Sequence, residues 1–284
     1  MDQPTSTGYT TRVGVKTLRN KRALVTGAAS GIGKAIATRV AAEGAELLLV
    51  DVNAGALADT AAGFERTGAR VRTYVVDLTD LSRILGLREE VHRTGPVDVL
   101  VNNAGIVFGG AFLDVPLERH FTTYRLNTES LVAMTHAFLP DLIAGEDGHV
   151  VNIGSASAFI GLPFGATYAS SKWAVVGFSE SLVLELELLG HRHVHVTCVC
   201  PSYVATGLFD GARAPRTTRL LTADVVADLT VRALLANRFY VKAPWLVKVT
   251  PAMKGLVPFR TFYRVAAWLG VNTSMMQWRG RRPA

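Results

Sequence analysis

From about Lys21 to Val199 short apolar runs rich in β-branched residues alternate with longer amphipathic stretches, and few folds accommodate that alternation. The runs are Ala23 to Thr26, Leu47 to Val50, Val71 to Val76, Val97 to Val101, His149 to Ile153 and Val194 to Val199. A strand that is apolar on both sides must be covered on both, which is the condition of a parallel sheet with helical crossovers. The intervening stretches carry helical spacing, as in Ile32, Ile36 and Val40, with Gly44 placed as a helix stop. Six strands separated by helices predict an α/β fold with a doubly wound parallel sheet of Rossmann type. With 284 residues and neither repeat nor low-complexity linker, the chain reads as a single domain. Residues 1–18 read as a loose arm, 19–242 as the main unit, and 243–284 as a basic, aromatic and helical extension of it.

Composition narrows the setting. Hydrophobic residues at 49% against 19% charged exclude a disordered chain. No apolar run reaches the roughly 20 residues of a membrane span, and the polar start is not a secretory leader, so the cytoplasm is the expected location. Cys198 and Cys200, the two cysteines, are too close for an ordinary disulfide and read as small core residues. No metal is expected: His191, His193 and His195 alternate toward one solvated strand face without a fourth ligand.

The turn after the first run is Thr26-Gly27-Ala28-Ala29-Ser30-Gly31-Ile32-Gly33. Between a strand and a helix, glycines allow a tight turn and let backbone approach a pyrophosphate seated on the helix's positive end. Gly27, Ser30, Gly31, Ile32 and Gly33 are therefore candidate dinucleotide contacts. Asp51 closes the second strand, eighteen residues after Gly33, where a carboxylate accepts hydrogen bonds from the adenine ribose hydroxyls. It would repel a 2′-phosphate, which favours NAD over NADP, although Lys34 stands nearby in sequence.

Tyr168 and Lys172, four apart in a helical stretch, share one helix face. An ammonium beside a phenol favours phenolate, so the tyrosine pKa is expected to fall from about 10 toward the range of an acid/base catalyst. Ser155 lies thirteen residues before Tyr168 at the end of the fifth strand, with Ser157 as a rival.

With the glycine turn, these residues make the chain resemble the short-chain dehydrogenase/reductase family over about 210 residues, from the first strand to the loop after the sixth. The resemblance implies that Ser155, Tyr168 and Lys172 are the catalytic triad, selecting Ser155 over Ser157. It implies that Asn127, in Tyr124-Arg-Leu-Asn, holds a water in a proton path to the lysine. It also implies that Asn102-Asn103-Ala104-Gly105 supports the sheet, with Asn103, Ala104 and Gly105 lining the cofactor cleft. Asp77 and Leu78 match the position that meets the adenine. After the sixth strand the family's Pro-Gly is here Pro201-Ser202, so Ser202 is expected to strain the turn, while Pro201, Val204 and Thr206 still meet the nicotinamide end.

The reading that follows is an NAD-dependent alcohol dehydrogenase or carbonyl reductase acting on a hydrophobic secondary alcohol or ketone of steroid, retinoid or lipid type. Ser155, Tyr168, Val107 and Phe159 are the candidate substrate contacts, with Ile106, Phe108, Leu162, Pro163 and Phe164 as further apolar surroundings that also suit core or subunit packing. An NADPH-dependent ketoreductase and a non-catalytic NAD-sensing regulator are the rivals. The segment from Gly207 to Leu221 resembles the family's substrate lid and carries Arg213, Arg216 and Arg219. The resemblance also implies a homodimer or homotetramer built partly on the helices holding Asn127 and Tyr168.

The charge is divided. Ten Lys or Arg and no Asp or Glu follow Asp228, whereas the chain before that tail carries 20 basic residues against 23 acidic. The tail also holds Trp245, Phe259, Phe262, Tyr263, Trp268, Met275, Met276 and Trp278. It reads either as a helical cap over the active-site mouth or a neighbouring subunit, or as a peripheral membrane contact. Nucleic acid is not an expected partner, because no recognition module is present.

Overall fold

The computed structural model describes residues 17–215 and 220–280. Its strands are β1 (Arg22–Thr26), β2 (Glu46–Asp51), β3 (Val71–Val75), β4 (Val99–Asn102), β5 (Gly148–Ile153), β6 (Val194–Pro201) and β7 (Tyr240–Ala243). They form one parallel sheet in the order β3-β2-β1-β4-β5-β6-β7. The helices are α1 (Gly31–Ala42), α2 (Ala54–Glu65), α3 (Ser82–His92), α4 (Leu117–Tyr124), α5 (Ser130–Ala144), α6 (Ala166–Leu188), α7 (Ala223–Leu235), α8 (Leu246–Leu256) and α9 (Phe259–Trp268).

The continuous apolar runs are explained by alternate burial. Ala23 and Val25 of β1, Leu47 and Leu49 of β2 and Val101 of β4 pack against Ile36 and Val40 of α1, Leu57 of α2 and Val231 of α7. Their neighbours Leu24, Leu48, Val50 and Leu100 point the other way, onto Ile84 and Leu87 of α3, Phe138 of α5 and Leu186 of α6. Each strand thus feeds two cores, as a period of two requires. All six expected strands are present. The seventh is only four residues long with Lys242 inside it, which gives no apolar run to read.

The strand order reverses at β1, which has β2 on one side and β4 on the other. Crossovers leave in opposite directions there, so a crevice opens at the carboxyl ends of β1 and β4. A π-helical turn, Arg125–Glu129, joins α4 to α5 beside this crevice.

Both ends of the described chain are tied down. The expected loose arm falls outside the described residues except for Thr17 and Leu18, and Leu18 is fully buried in the core. At the other end α8, α9 and the residues to Gly280 cover the region beyond β5 and β6. The Tyr263 hydroxyl accepts from the Gly161 N–H at 2.8 Å, and the Trp278 indole N–H donates to the Leu208 carbonyl at 3.1 Å.

Candidate active site

Leaving β1, the chain reverses at Gly27 and Gly31, whose φ angles of 63° and 57° lie in the left-handed region. A Cβ at Gly33 would collide with the Gly27 carbonyl oxygen, so this glycine lets α1 close on the turn. The turn is clamped from β4. Asn103 Nδ2 donates to the carbonyls of Thr26 (2.8 Å) and Gly27 (3.2 Å), and Thr26 Oγ1 accepts from the N–H groups of Asn103 (2.9 Å) and Ala104 (3.0 Å). The first turn of α1 carries no acidic residue, so its amide end presents positive potential to the crevice.

A cavity of about 440 Å³ fills that crevice. Of the expected cofactor residues, Gly27, Ser30, Gly31, Ile32, Asp51, Asp77, Leu78, Asn103, Ala104, Gly105, Tyr168, Lys172, Pro201, Val204 and Thr206 all line it. Gly33 does not; it lies behind the wall and serves the packing of turn on helix. The Asp51 carboxylate is fixed at the far end by the N–H groups of Ala29 (2.9 Å) and Asn53 (3.0 Å). Among the described residues, Lys172 is the one Lys or Arg in the lining; Lys34 faces elsewhere.

At the opposite end Ser155 follows β5 and caps a short turn, its Oγ accepting from the Ser157 N–H at 3.1 Å. The first turn of α6 brings the Tyr168 phenol near its hydroxyl, and both line the cavity. One turn on, Lys172 Nζ donates to the Ile153 carbonyl at 2.8 Å. The expected fall in the Tyr168 pKa is not what the structure gives. Burial of the phenol pushes it up to about 12, against a smaller downward effect of the Ser155 hydroxyl. Burial likewise lowers Lys172 to about 8. The ammonium is aimed at a backbone carbonyl, and desolvation of the phenol outweighs any help from it.

Asn127 sits in the π-helical turn and is buried. Its amide clasps the backbone of one residue from both sides: Oδ1 accepts from the Ile106 N–H (2.8 Å) while Nδ2 donates to the Ile106 carbonyl (2.9 Å) and to Ser171 Oγ (3.0 Å). It therefore holds the loop segment that follows Asn103 against α6. Ser202, expected to be strained, is not: the non-glycine residues with positive φ among those described are Asn20, Phe164 and Asn237. Its N–H donates to the Ala243 carbonyl at 2.8 Å, a bond that β7 provides.

Residues 21–217 match the family model described as short chain dehydrogenase. The chain belongs to that family. Epidermal retinol dehydrogenase 2 of Homo sapiens is 32% identical over 264 residues, 92% of this chain and 85% of that protein. Estradiol 17-beta-dehydrogenase 11 of Rattus norvegicus is 32% identical over 249 residues, 86% and 82% of the two chains. Among solved structures, a short chain dehydrogenase/reductase from Burkholderia phymatum in complex with NAD has a TM-score of 0.78 at 27% identity, covering 85% of this chain and 95% of its own. A short-chain dehydrogenase from Sphingobium yanoikuyae in complex with NADPH has a TM-score of 0.72 at 28% identity, covering 86% and 95%. The chain is thus an oxidoreductase of this family, whose fold binds a nicotinamide cofactor, and the crevice is the candidate site for it. The glycine cradle, the helix end and the Asp51 carboxylate fit such a group.

The substrate side of this short chain dehydrogenase differs from the sequence reading. A second cavity, about 190 Å³, starts at Ser155 and Tyr168 and is walled by Ile160, Leu162, Tyr203, Phe209 and residues of α8 and α9. Neither Val107 nor Phe159 lines it. Val107 is buried against Leu162, Tyr168 and Met275. Phe159 turns away to Tyr240, edge-on at 6.2 Å, with the Lys242 ammonium 4.5 Å above its ring. Phe108 is likewise occupied, under the Arg119 guanidinium at 5.1 Å. Ser157, the rival serine, lines this second cavity but not the cofactor one, and its carbonyl accepts from the Trp173 indole. In the segment expected to form a lid, Arg213 donates its backbone N–H to the Ser274 carbonyl, and Arg216 and Arg219 lie outside the described residues. The sequence reading missed Val247, Phe262 and Val265 as wall residues; it named Phe262 among the tail aromatics, and nothing in their types says what they cover.

Proposed function

We propose that this protein is an NAD(H)-dependent oxidoreductase interconverting a hydrophobic secondary alcohol and its ketone. The observation that carries this reading is that the Ser155 and Tyr168 hydroxyls stand where the two cavities meet. One cavity ends at Asp51, and the other is apolar almost throughout. Retinol and estradiol, named in two relatives, are alcohols of the hydrophobic kind that such walls accept. The preference for NAD is supported by the Asp51 carboxylate and by the lack of any described cation near it in the lining.

In oxidation, Ser155 hydrogen-bonds the substrate oxygen as charge develops there, and Tyr168 receives the hydroxyl proton. In reduction the same phenol gives that proton to the carbonyl oxygen. When bound, the nicotinamide ring accepts or supplies the hydride. Lys172, Val204 and Thr206, which line that end of the cavity, would hold the nicotinamide half of the cofactor, and Asn127 keeps the Gly105-Ile106 wall in place. Buried at about 12, Tyr168 carries its proton at neutral pH, which readies it for reduction and makes oxidation gain as pH rises.

Exposed Leu117 and Phe121 on α4, Val132 on α5 and Leu184 and Leu188 on α6 supply apolar surface for the homodimer or homotetramer contact that we include in this reading. No helix among the described residues is long and apolar enough to cross a membrane. A cytoplasmic enzyme is our reading.

Fluorescence titration with NADH and NADPH tests the cofactor assignment. Tighter NADH binding is expected, narrowed by Asp51→Ala. Tighter NADPH binding would reverse the assignment and make ketone reduction the leading reaction.

A further inference from the structure

The tail folds into a two-sided layer. Its inner side, with Val247, Phe262 and Ala266 buried, roofs the apolar cavity. Its outer side is also apolar. On α8, Trp245, Val249, Ala252, Met253 and Leu256 recur at spacings of three and four and make one exposed stripe. Trp245 is 70% exposed, Leu256 85%, and Phe259 and Trp268 at the two ends of α9 are 71% and 73%. Four large apolar side chains so exposed on two adjacent short helices form an unpartnered face.

The charge beside that face is of one sign. Lys248, Arg260 and Arg264 are exposed along it, while Lys254 is turned inward over the Trp173 ring at 4.0 Å. Neither helix contains an acidic residue, and none follows Asp228. A two-fold contact with a second copy would set these cations against their own counterparts. An anionic lipid surface meets both properties together: headgroups pair with the cations while indole and aliphatic groups enter the interface.

The face also connects to the site. Met253 and Val265 are 44% and 47% exposed, and both line the apolar cavity that begins at Ser155 and Tyr168. They form its rim on the outer side of the helices.

We propose that the outer face of α8 and α9 docks on an anionic membrane surface, and that the apolar cavity opens onto it. A membrane-dissolved alcohol or ketone then enters at the Met253 and Val265 rim without crossing bulk water. The docking stands on the face alone; the delivery rests on reading this cavity as the substrate site.

The test uses the full chain and vesicles of phosphatidylcholine with about a third phosphatidylserine, against phosphatidylcholine alone. Co-sedimentation with the anionic vesicles and a blue shift of indole emission are expected. A variant combining Trp245→Ala, Leu256→Ala and Trp268→Ala, and another combining Lys248→Glu, Arg260→Glu and Arg264→Glu, should each weaken binding on the order of a hundredfold. None of these six residues lines either cavity, so turnover of a short water-soluble alcohol should persist while turnover of a long-chain secondary alcohol held in vesicles falls. No sedimentation, or binding unchanged in both variants, overturns docking. Self-association that the apolar variant abolishes, with no vesicle binding, assigns the face to a second copy and also overturns it. Vesicle binding with undiminished use of the vesicle-held alcohol by the variants overturns delivery. Because sedimentation needs no turnover, an inactive protein that still binds would count against the oxidoreductase reading and not against docking.

Discussion

Tyr168 joins two observations that the sequence presents separately: the spacing to Lys172 and the hydroxyl of Ser155. Removing only its hydroxyl, in Tyr168→Phe, is expected to cut turnover by about a thousandfold while leaving NADH binding within about threefold, as steady-state rates and fluorescence titration would show. Retained turnover would refute the proton role; retained cellular effects without turnover would favour a sensing role. Lys172 gives a prediction of opposite character. Its folded pKa of about 8 lies below the ordinary 10.5, so between these values the unfolded chain holds a proton that the folded chain has shed. Stability therefore rises with pH across that window, by about 3 kcal/mol if the whole shift is expressed. Lys172→Met should abolish this rise and be more stable than the parent near pH 7, measured by denaturant midpoints at a series of pH values below about 10, where Tyr168 begins to act the other way. Spacing made Ser155, Tyr168 and Lys172 legible. It could not show that the phenol is buried, and burial sets the sign of its shift. Nor could it show which way a loop ring faces: Phe159 is adjacent to Ile160 in the chain, yet only Ile160 reaches the cavity.

The glycine cradle proposed for the cofactor is a property of β1, α1 and the end of β4 acting together. One substitution made at two glycines separates cradle geometry from helix propensity. A Cβ at Gly33 meets the Gly27 carbonyl and Asn103 Nδ2, so Gly33→Ala should spread the turn, lower the melting temperature and weaken NADH binding by more than about tenfold. At Gly63, inside α2, the nearest atom to an added Cβ is the flexible end of Arg66 at 3.9 Å. Gly63→Ala should stabilise by about 0.5–1 kcal/mol and leave NADH binding alone. Calorimetry and titration on the two variants check both signs. The strands that build this cradle were readable because each feeds two cores and is therefore apolar throughout. β7 was not readable, because an edge strand of four residues is defined by its pairing with β6 and not by its own composition. The π-helical turn at Asn127 was equally silent, since an extra residue in a helical turn leaves no mark on side-chain types.

The tail covers the candidate active site from outside, and among the hydrogen bonds that join the two, one ties α9 to the loop after β5. Gly161 stands between Ile160 and Leu162, both walls of the apolar cavity, and its N–H donates to Tyr263 of α9. Tyr263 itself does not line the cavity and packs against Phe259, tilted, and Phe262, edge-on, with ring centroids 4.6 and 5.2 Å away. Tyr263→Phe keeps those ring contacts and removes only the acceptor. The Gly161 loop then loses its tie to α9, and the wall opposite Tyr168 loosens. A lost hydrogen bond of about 0.5–1.5 kcal/mol corresponds to a change of roughly twofold to tenfold in an equilibrium constant. The expected result is a rise in KM of that size for a hydrophobic alcohol, with NADH affinity and melting temperature nearly unchanged, because neither the glycine turn nor the two cores meet α9. An equal loss of NADH binding would mean that the tail holds the whole cofactor crevice and not the substrate wall. The charge division of the chain had marked this tail as separate in character; that α9 is tied to the Gly161 loop through a tyrosine whose partner lies 102 residues earlier is a pairing that only the folded chain displays.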